Sequence, residues 1–177
     1  AEQADLRIEG IETIRRGQRF RARLPGDQRF DFEIPIPGRH NVLNAMAAIG
    51  VGLELEIDPA CLAKGLASYP GVGRRFERKG THGGIEVLDD YAHHPAEVKA
   101  VLAAARSIHD GILTAVFQPH RYTRTRDCWH EFLHAFELAD RVVLADVYAA
   151  GESAIEGVDA QRLAEAIRAA GHPDARH

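Results

Sequence analysis

One short basic loop in the sequence is well suited to binding an anion. Residues 118–126 read QPHRYTRTR and stand directly before a predicted helix. Within seven residues they carry four side chains that can be cationic: His120, Arg121, Arg124 and Arg126. Guanidinium groups bind carboxylate or phosphate with paired hydrogen bonds, and a helix N-terminus adds unsatisfied amides. We therefore predict an anion site here. The alternative is a solvated turn whose arginines pair with Asp127 or Glu131, and the residues alone leave both interpretations open.

A second loop combines acids and histidines. Residues 89–95, DDYAHHP, end in a proline that begins a predicted helix. Such groups can hold ribose hydroxyls, bind a metal ion or act as a general base. Because adjacent loop residues rarely direct both side chains at one ion, the metal interpretation is the weakest. We predict no metal ligands in the chain.

Two other segments carry groups that can bind a nucleotide. His40, Asn41 and Asn44 surround a predicted helix start in GRHNVLN. Asn41 can cap that helix, which is the commoner role, or an amide can read a purine edge. Arg74 and Arg75 lie in a predicted interdomain hinge, where they are either a solvated pair or ligand contacts. The residues alone do not decide between these roles.

Alternating strands and helices must position the first two loops. Apolar strands IEVL, LTAVF and VVLA alternate with the amphipathic segments PAEVKAVLAAARSI, RDCWHEFLHAFELA and DAQRLAEAIRAA. This order is typical of an α/β domain with a parallel sheet and flanking helices. Ligands of such sheets gather at the carboxyl ends of the strands. We therefore expect the loops 89–95, 118–126 and 146–152 (DVYAAGE) to share a cleft.

The preceding part of the chain has a different pattern. Residues 6–36 predict three strands of an antiparallel meander, with Arg-Gly and Pro-Gly-Asp turns. A helix is predicted to begin near Asn41, and a second helix to run from the Asp58-Pro59 cap to Leu66. We place a domain boundary near residues 74–80.

The composition is that of an ordinary globular protein. Of 177 residues, 45% are hydrophobic and 27% charged, with a net charge of −4 and a pI near 6.2. These values and the weak basic patch argue against a nucleic-acid partner, and no apolar run is long enough to span or anchor in a membrane. The two cysteines lack disulfide or zinc spacing, so a cytoplasmic location is predicted.

The missing initiator Met and the opening in a strand-like segment predict a piece of a longer protein. There is no GxxxxGK[ST] phosphate loop, hence no complete nucleotide triphosphate site, and no GxSxG serine elbow.

Five strings in the sequence closely resemble the Mur ligase family over residues 38–157. In chain order they are GRHNVLNAMAAIGVG, PGVGRRFERKG, LDDYAHHPAEVKAVLAAAR, VFQPHRYTRTRD and DVYAAGES. Ala92 departs from the family pattern, where glycine is expected, and fits if its backbone angles are ordinary. The resemblance implies that residues 1–77 are the end of a central ATP-binding domain. It implies that residues 78–177 are most of a Rossmann-like, amino-acid-binding C-terminal domain, without its last strands.

The implied activity is ATP-dependent ligation of L-alanine to UDP-N-acetylmuramate through an acyl phosphate, in peptidoglycan precursor synthesis. The isolated piece is expected to be inactive, with Mg²⁺ held mainly by the missing part of the parent protein. Carried over from the family, the residues expected near ATP are His40, Asn41, Asn44, Arg75 and Asp90. Those expected around alanine and the acyl phosphate are Tyr91, His93, His120, Arg121 and Arg124, with His93, His120 and Arg121 as catalytic groups.

Two alternatives accompany this interpretation. A sibling ligase of the same family recycles murein tripeptide, but HRYTRTR and DVYAAGE favour the alanine-adding branch. A noncatalytic α/β binding module is the other alternative, and a phosphate loop upstream of Ala1 would exclude it. The sequence makes no prediction of the oligomeric state.

Overall fold

The computed structural model describes residues 4–15 and 17–177, so Arg16 of the predicted Arg-Gly turn lies outside the described part. The chain forms two compact units, of which the first ends at Asp90 and the second runs from Tyr91 to His177. The domain boundary between residues 77 and 78 stays a prediction. Every helix in the described ranges is too short or too polar to cross a bilayer.

The first unit opens with an antiparallel sheet. Its strands lie in the order β1-β2-β3 and span β1 Arg7–Ile14, β2 Gly17–Arg23 and β3 Arg29–Ile34, with a short 3-10 turn at Pro25–Asp27 before β3. Each strand pairs antiparallel with the next in the chain. The predicted meander is confirmed.

Alternation along β2 and β3 separates a buried face from a charged one. Phe20 stands opposite Phe32, and the two stacked rings are 5.6 Å apart between centroids. One residue along, Arg21 stands opposite Asp31 and donates two hydrogen bonds of 2.6 and 2.8 Å to its carboxylate. Successive side chains point to opposite faces of a strand, so this pattern fixes the register.

Two helices complete the core of the first unit. Helix α1 spans Arg39–Glu54 and helix α2 spans Pro59–Ala67. The core they share with the sheet consists of Phe20, Ala22, Leu24, Phe32, Ile34, Val42, Ala45, Met46 and Ile49. Asp58 caps α2, since its Oδ1 accepts a 2.8 Å bond from the Ala60 amide, as predicted. Helix α1 begins two residues before Asn41 and has Gly38 as its N-cap, which excludes the capping role, one of the two alternatives for Asn41.

A hairpin ends the first unit. Strands β4 (Glu77–His82) and β5 (Ile85–Asp89) form a separate two-stranded antiparallel sheet. Strand IEVL was expected in the parallel sheet, and that expectation is wrong. A short apolar strand does not itself encode its partner, and β4, which was not predicted, takes the pairing.

The second unit is the predicted α/β structure, with a parallel sheet flanked by helices. Its sheet has the order β6-β7-β8 and contains β6 Thr114–Phe117, β7 Arg141–Leu144 and the two-residue β8 Ala175–Arg176. Its helices are α3 Pro95–Arg106, α4 Tyr122–Asp127, α5 Trp129–Phe132 and α6 Ala160–Ala169. Both strand pairs are parallel. The predicted fold class is confirmed, and β8 is an addition that the sequence did not indicate.

The helix expected over residues 126–139 is broken. Backbone angles at Cys128 (φ −103°, ψ 19°) leave the helical region and separate α4 from α5. Helix α5 buries Phe132 in the core, and the series of turns after it buries Ala135, Phe136 and Ala139. No glycine or proline marks the break, so packing of these side chains overrides the helical periodicity.

Candidate functional site

The two predicted loops line one cleft in the second unit. Its volume is about 550 Å³, and its walls are Tyr91, His93, His94, His120, Arg121, Thr123, Arg124, Asp127 and Cys128. All five residues expected around the amino acid and acyl phosphate are in this set. The sequence did not indicate His94, Thr123, Asp127 or Cys128 as part of the site.

The parallel sheet brings the second and third loops together. Beyond the strand ends, the Tyr148 amide donates to Pro119 O (2.8 Å) and the Arg121 amide donates to Tyr148 O (2.8 Å). His120 and Tyr148 thereby form a parallel bridge, and their rings lie 5.3 Å apart between centroids. These two loops converge at the carboxyl ends of β6 and β7, as expected. No residue of 146–152 is among those that line the cleft, so the expectation that the third loop shares it is wrong.

Glu97 orders the first loop from inside helix α3. Its Oε2 accepts hydrogen bonds from the backbone amides of His93 (3.0 Å) and His94 (3.1 Å). An acid three residues into a helix that reaches back to the amides before it is a known capping arrangement, and the HHPAE string carried that signal. Ala92 has no positive φ, so the departure from glycine costs this loop nothing.

A backbone carbonyl fixes the tautomer of His93. Its Nδ1 lies 2.8 Å from Tyr91 O, and a carbonyl oxygen can only accept, so Nδ1 carries the proton. In the neutral ring, Nε2 is then an acceptor. The Tyr91 ring packs edge-on against the imidazole at 5.1 Å between centroids. His93 therefore offers the cleft a group that can take up a proton.

His120 is held in the opposite tautomer. Arg124 Nη1 lies 3.2 Å from its Nδ1, and a guanidinium can only donate, so Nδ1 is the acceptor and Nε2 carries the proton. Burial lowers the pKa of His120, and the positive charges of Arg124 and Arg121 lower it further. With its ring 6.2 Å from that of His93, the cleft contains one imidazole set to accept and one set to donate.

The three arginines of the basic loop have different surroundings. Arg126 is exposed and pairs with Asp127 at 2.8 Å, as the solvated-turn alternative expects. Arg124 is partly buried, bonds to His120 and forms no ion pair with a carboxylate in residues 4–15 and 17–177. Arg121 lies 3.7 Å from Glu152. The anion-site interpretation therefore fits Arg124 best.

One part of the anion-site argument is wrong. The first turn of α4 was expected to offer free amides, but the Thr123 amide donates to Glu152 Oε2 at 3.0 Å. Glu152, in the DVYAAGE string, thus occupies the helix N-terminus that a ligand was expected to use. The sequence showed the string but did not indicate this residue.

Cys128 and His94 form the far wall of the cleft. Their Sγ and Nε2 atoms are 3.6 Å apart. Burial and the neighbouring Glu131 raise the pKa of the Cys128 thiol, so it remains protonated at neutral pH. In the described part of the chain no three His, Cys, Asp or Glu side chains form a group that could hold a metal ion.

The residues predicted for ATP lie in the first unit. His40 is partly buried next to Asp90 and Arg75; burial lowers its pKa, Asp90 opposes that shift and Arg75 adds to it. Asn41 uses one amide proton in a 2.7 Å bond to Pro37 O, while Asn44 is exposed one turn along α1. Their roles as nucleotide contacts stay predictions.

Two carboxylates hold residues 74–76 in an unusual backbone conformation. Arg74 (φ 58°) and Phe76 (φ 51°) are in the left-handed region. Their amides donate to Glu77 Oε2 and Asp90 Oδ2, each at 2.7 Å. Asp90 therefore has a structural function in addition to the one predicted for it.

Comparison with known proteins gives relatives over nearly the whole chain. UDP-N-acetylmuramate–L-alanine ligases from Phenylobacterium zucineum and Agrobacterium fabrum are 48% and 50% identical over 175 and 174 residues, which is 96% and 98% of this chain. The crystal structure of UDP-N-acetylmuramate-alanine ligase MurC from Thermotoga maritima superposes with a TM-score of 0.81 at 28% identity and covers 100% of the chain. The chain spans 37% of the length of the first two relatives and 38% of the third.

Two domain families match successive parts of the sequence. The Mur ligase middle domain matches residues 1–52, and the Mur ligase glutamate ligase domain matches residues 74–177. The second match alone includes more than half of the 177 residues. From these matches and the cleft that the two loops form, we conclude that the chain belongs to the Mur ligase family.

Proposed function

We propose that the protein containing this chain joins L-alanine to UDP-N-acetylmuramate at the expense of ATP, and that residues 91–177 supply the side that receives alanine. The observation that carries the proposal is the cleft in which Arg124, unpaired with any carboxylate of the described chain, stands beside two imidazoles of opposite tautomer. An amino acid has a carboxylate, which the Arg124 guanidinium can bind, and an amine, from which the His93 imidazole can take a proton.

Arg124 is the proposed partner of the alanine carboxylate. It is partly buried, and its contact with His120 restricts the guanidinium. A carboxylate bound there would form a charge-assisted pair of hydrogen bonds in place of solvent contacts. Arg121, whose charge is partly offset by Glu152 3.7 Å away, is left for the phosphate side of the intermediate.

His93 is the proposed general base. It removes one proton from the alanine ammonium at Nε2, and the freed lone pair attacks the carbonyl carbon of the muramyl acyl phosphate. A C–N bond forms, the C–O bond to phosphate breaks, and inorganic phosphate leaves with the electron pair and takes up the second proton that the nitrogen must lose to become an amide. The Nε2–H of His120 donates a hydrogen bond to the oxygen on which negative charge develops.

ATP is the substrate that supplies the phosphoryl group for the acyl phosphate. The side chains of the first unit fit a nucleotide, because His40 is neutral and Asn41 keeps one amide proton beside its bond to Pro37 O. We propose that these residues with Asn44, Arg75 and Asp90 contact ATP. Mg²⁺ is assigned to residues of the parent protein outside this chain, and the cytoplasmic location remains part of the proposal.

The test is phosphate release by the intact parent protein with ATP, Mg²⁺ and UDP-N-acetylmuramate, comparing L-alanine with murein tripeptide as acceptor. Release with L-alanine alone is expected. A cleft of about 550 Å³ can also hold groups larger than alanine. Phosphate release with murein tripeptide would therefore assign the parent protein to the sibling ligase that recycles this peptide. No phosphate release with either acceptor would favour a noncatalytic binding module. The 177-residue chain alone should release no phosphate.

A further inference from the structure

Glu152 is brought to the start of helix α4 by a tight turn after β7. Ala150 (φ 50°) and Gly151 (φ 86°) both have left-handed backbone conformations, and the Glu152 amide donates to Ala149 O at 3.0 Å. The turn places the Glu152 carboxylate at the start of helix α4. Because alanine rarely adopts positive φ, this conformation needs support from the contacts that Glu152 makes.

The carboxylate is fully engaged at that position. Oε2 accepts from the Thr123 amide at 3.0 Å, Oε1 accepts from the Thr123 hydroxyl at 2.7 Å, and Arg121 Nη1 lies 3.7 Å from Oε1. The side chain is only 20% exposed. The bonds from Thr123 hold the pKa of Glu152 below its usual value, so the group is ionised at neutral pH.

Arg121 is the residue that these contacts constrain. It is the residue before α4, has φ 73°, and lacks a side-chain capping bond of its own. Its amide donates to Tyr148 O at 2.8 Å, and its carbonyl accepts from the buried Thr125 hydroxyl at 2.8 Å. An arginine with positive φ is strained and persists where the surroundings determine its conformation.

We propose that Glu152 is a positioning residue that fixes Arg121 and the first turn of α4, and so sets the geometry of the arginine cluster in the cleft. Helix α4 has no side-chain cap from its own N-cap residue, and the Glu152 carboxylate takes that role by accepting from Thr123. The same carboxylate attracts the Arg121 guanidinium. Glu152 is not among the cleft-lining residues, so it acts through Arg121 and Thr123. The kinetic part of the inference rests on the proposed ligase activity, whereas the structural part does not.

The kinetic test uses the intact parent protein with three variants. Glu152→Ala should raise the KM for L-alanine about 10- to 100-fold, because small misplacement of binding groups has effects of that size, and leave the KM for ATP near wild type. Glu152→Gln keeps one of the two oxygens that accept from Thr123 and loses the charge, so an intermediate KM is expected. The exposed Glu156→Gln in the same connection is the control and should behave as wild type. A wild-type KM for L-alanine in Glu152→Ala, or equal increases for all three substrates, would overturn the proposal.

A second measurement separates this inference from the ligase proposal. Crystal structures of the parent protein and its Glu152→Ala variant should show Arg121 leaving the positive-φ region and its guanidinium displaced. An unchanged Arg121 in the variant would refute the positioning role, whether or not the parent uses L-alanine. If Arg121 moves but wild-type protein shows no turnover with L-alanine, the ligase proposal alone fails.

Discussion

At the residue scale, Arg124 and Arg126 differ in their capacity to bind a ligand because their partner side chains differ. Arg126 is neutralised by the adjacent Asp127 in solvent, where an ion pair contributes little. Arg124 has the imidazole of His120 as its partner, and its charge adds to burial, the larger cause, in lowering the pKa of that imidazole. The segment 118–126 thus contains one arginine that pairs with a carboxylate in solvent, Arg126, and one whose guanidinium can bind a ligand, Arg124.

Arg124→Ala in the parent protein should raise the KM for L-alanine by roughly 10- to 100-fold, since hydrogen bonds to charged groups contribute about 1.5–3 kcal/mol. Arg126→Ala is the matched control from the same helix, because Arg126 does not line the cleft, and its KM should stay at the wild-type value. Steady-state kinetics with varied L-alanine measures both. Equal effects in the two variants would remove Arg124 from the carboxylate site.

At the element scale, a few backbone positions decide whether the strands pair correctly. Gly17 begins β2, stands opposite Ile14 and has φ 131°. A Cβ at this position would overlap the Ile34 carbonyl oxygen and lie 2.8 Å from Pro35 Cα. Both contacts are with backbone, which cannot move aside as a flexible side chain does. Position 17 therefore requires glycine, because a side chain there would collide with the backbone at the end of β3.

Gly17→Ala is expected to lower the free energy of unfolding by about 2 kcal/mol or more, through strain at positive φ and the backbone overlap. Gly10→Ala in β1 is the control, because nothing lies within 4 Å of a Cβ there, and it should change stability by less than about 1 kcal/mol. Urea unfolding followed by circular dichroism compares them. Similar stability for the two variants would contradict the predicted overlap.

At the scale of the whole molecule, ionised carboxylates link separate segments. Asp140 Oδ2 accepts from the Leu113 amide (2.7 Å) and from Arg106 of α3 (2.8 Å), which connects three parts of the second unit. The Leu113 amide, and after it Arg106, lower the pKa of Asp140. Hydrogen bonds or ion pairs likewise lower the pKa of four other carboxyl groups: Asp31, Glu77, Glu152 and Asp174.

Stability is expected to fall in acid. A carboxyl group whose pKa is lower in the folded state stabilises the fold above its ordinary pKa of 3.8 or 4.5, and that contribution disappears as the pH falls through the lowered value. The melting temperature should be nearly constant near neutral pH and drop below about pH 4.5. Asp140→Asn should lower it at neutral pH and make the acid decline shallower, whereas the exposed Asp110→Asn should not. An identical acid decline in wild type and Asp140→Asn would contradict this account.

The sequence by itself determined the features that depend on local patterns. Alternation predicted the β1–β3 meander, the Asp58-Pro59 pair predicted the start of α2, and the family resemblance of the loop strings indicated five of the nine residues that line the cleft. Tertiary structure decided features that depend on distant partners: the pairing of β5 with β4, the helix break at Cys128 and the contact of Glu152 with the start of α4. Periodicity records which face of an element is buried, but a strand partner, a tautomer or a cap from another loop exists only after the chain has folded. Thus the sequence indicated five of the side chains that line the site, and the fold added the other four and decided which of them remain available to a ligand.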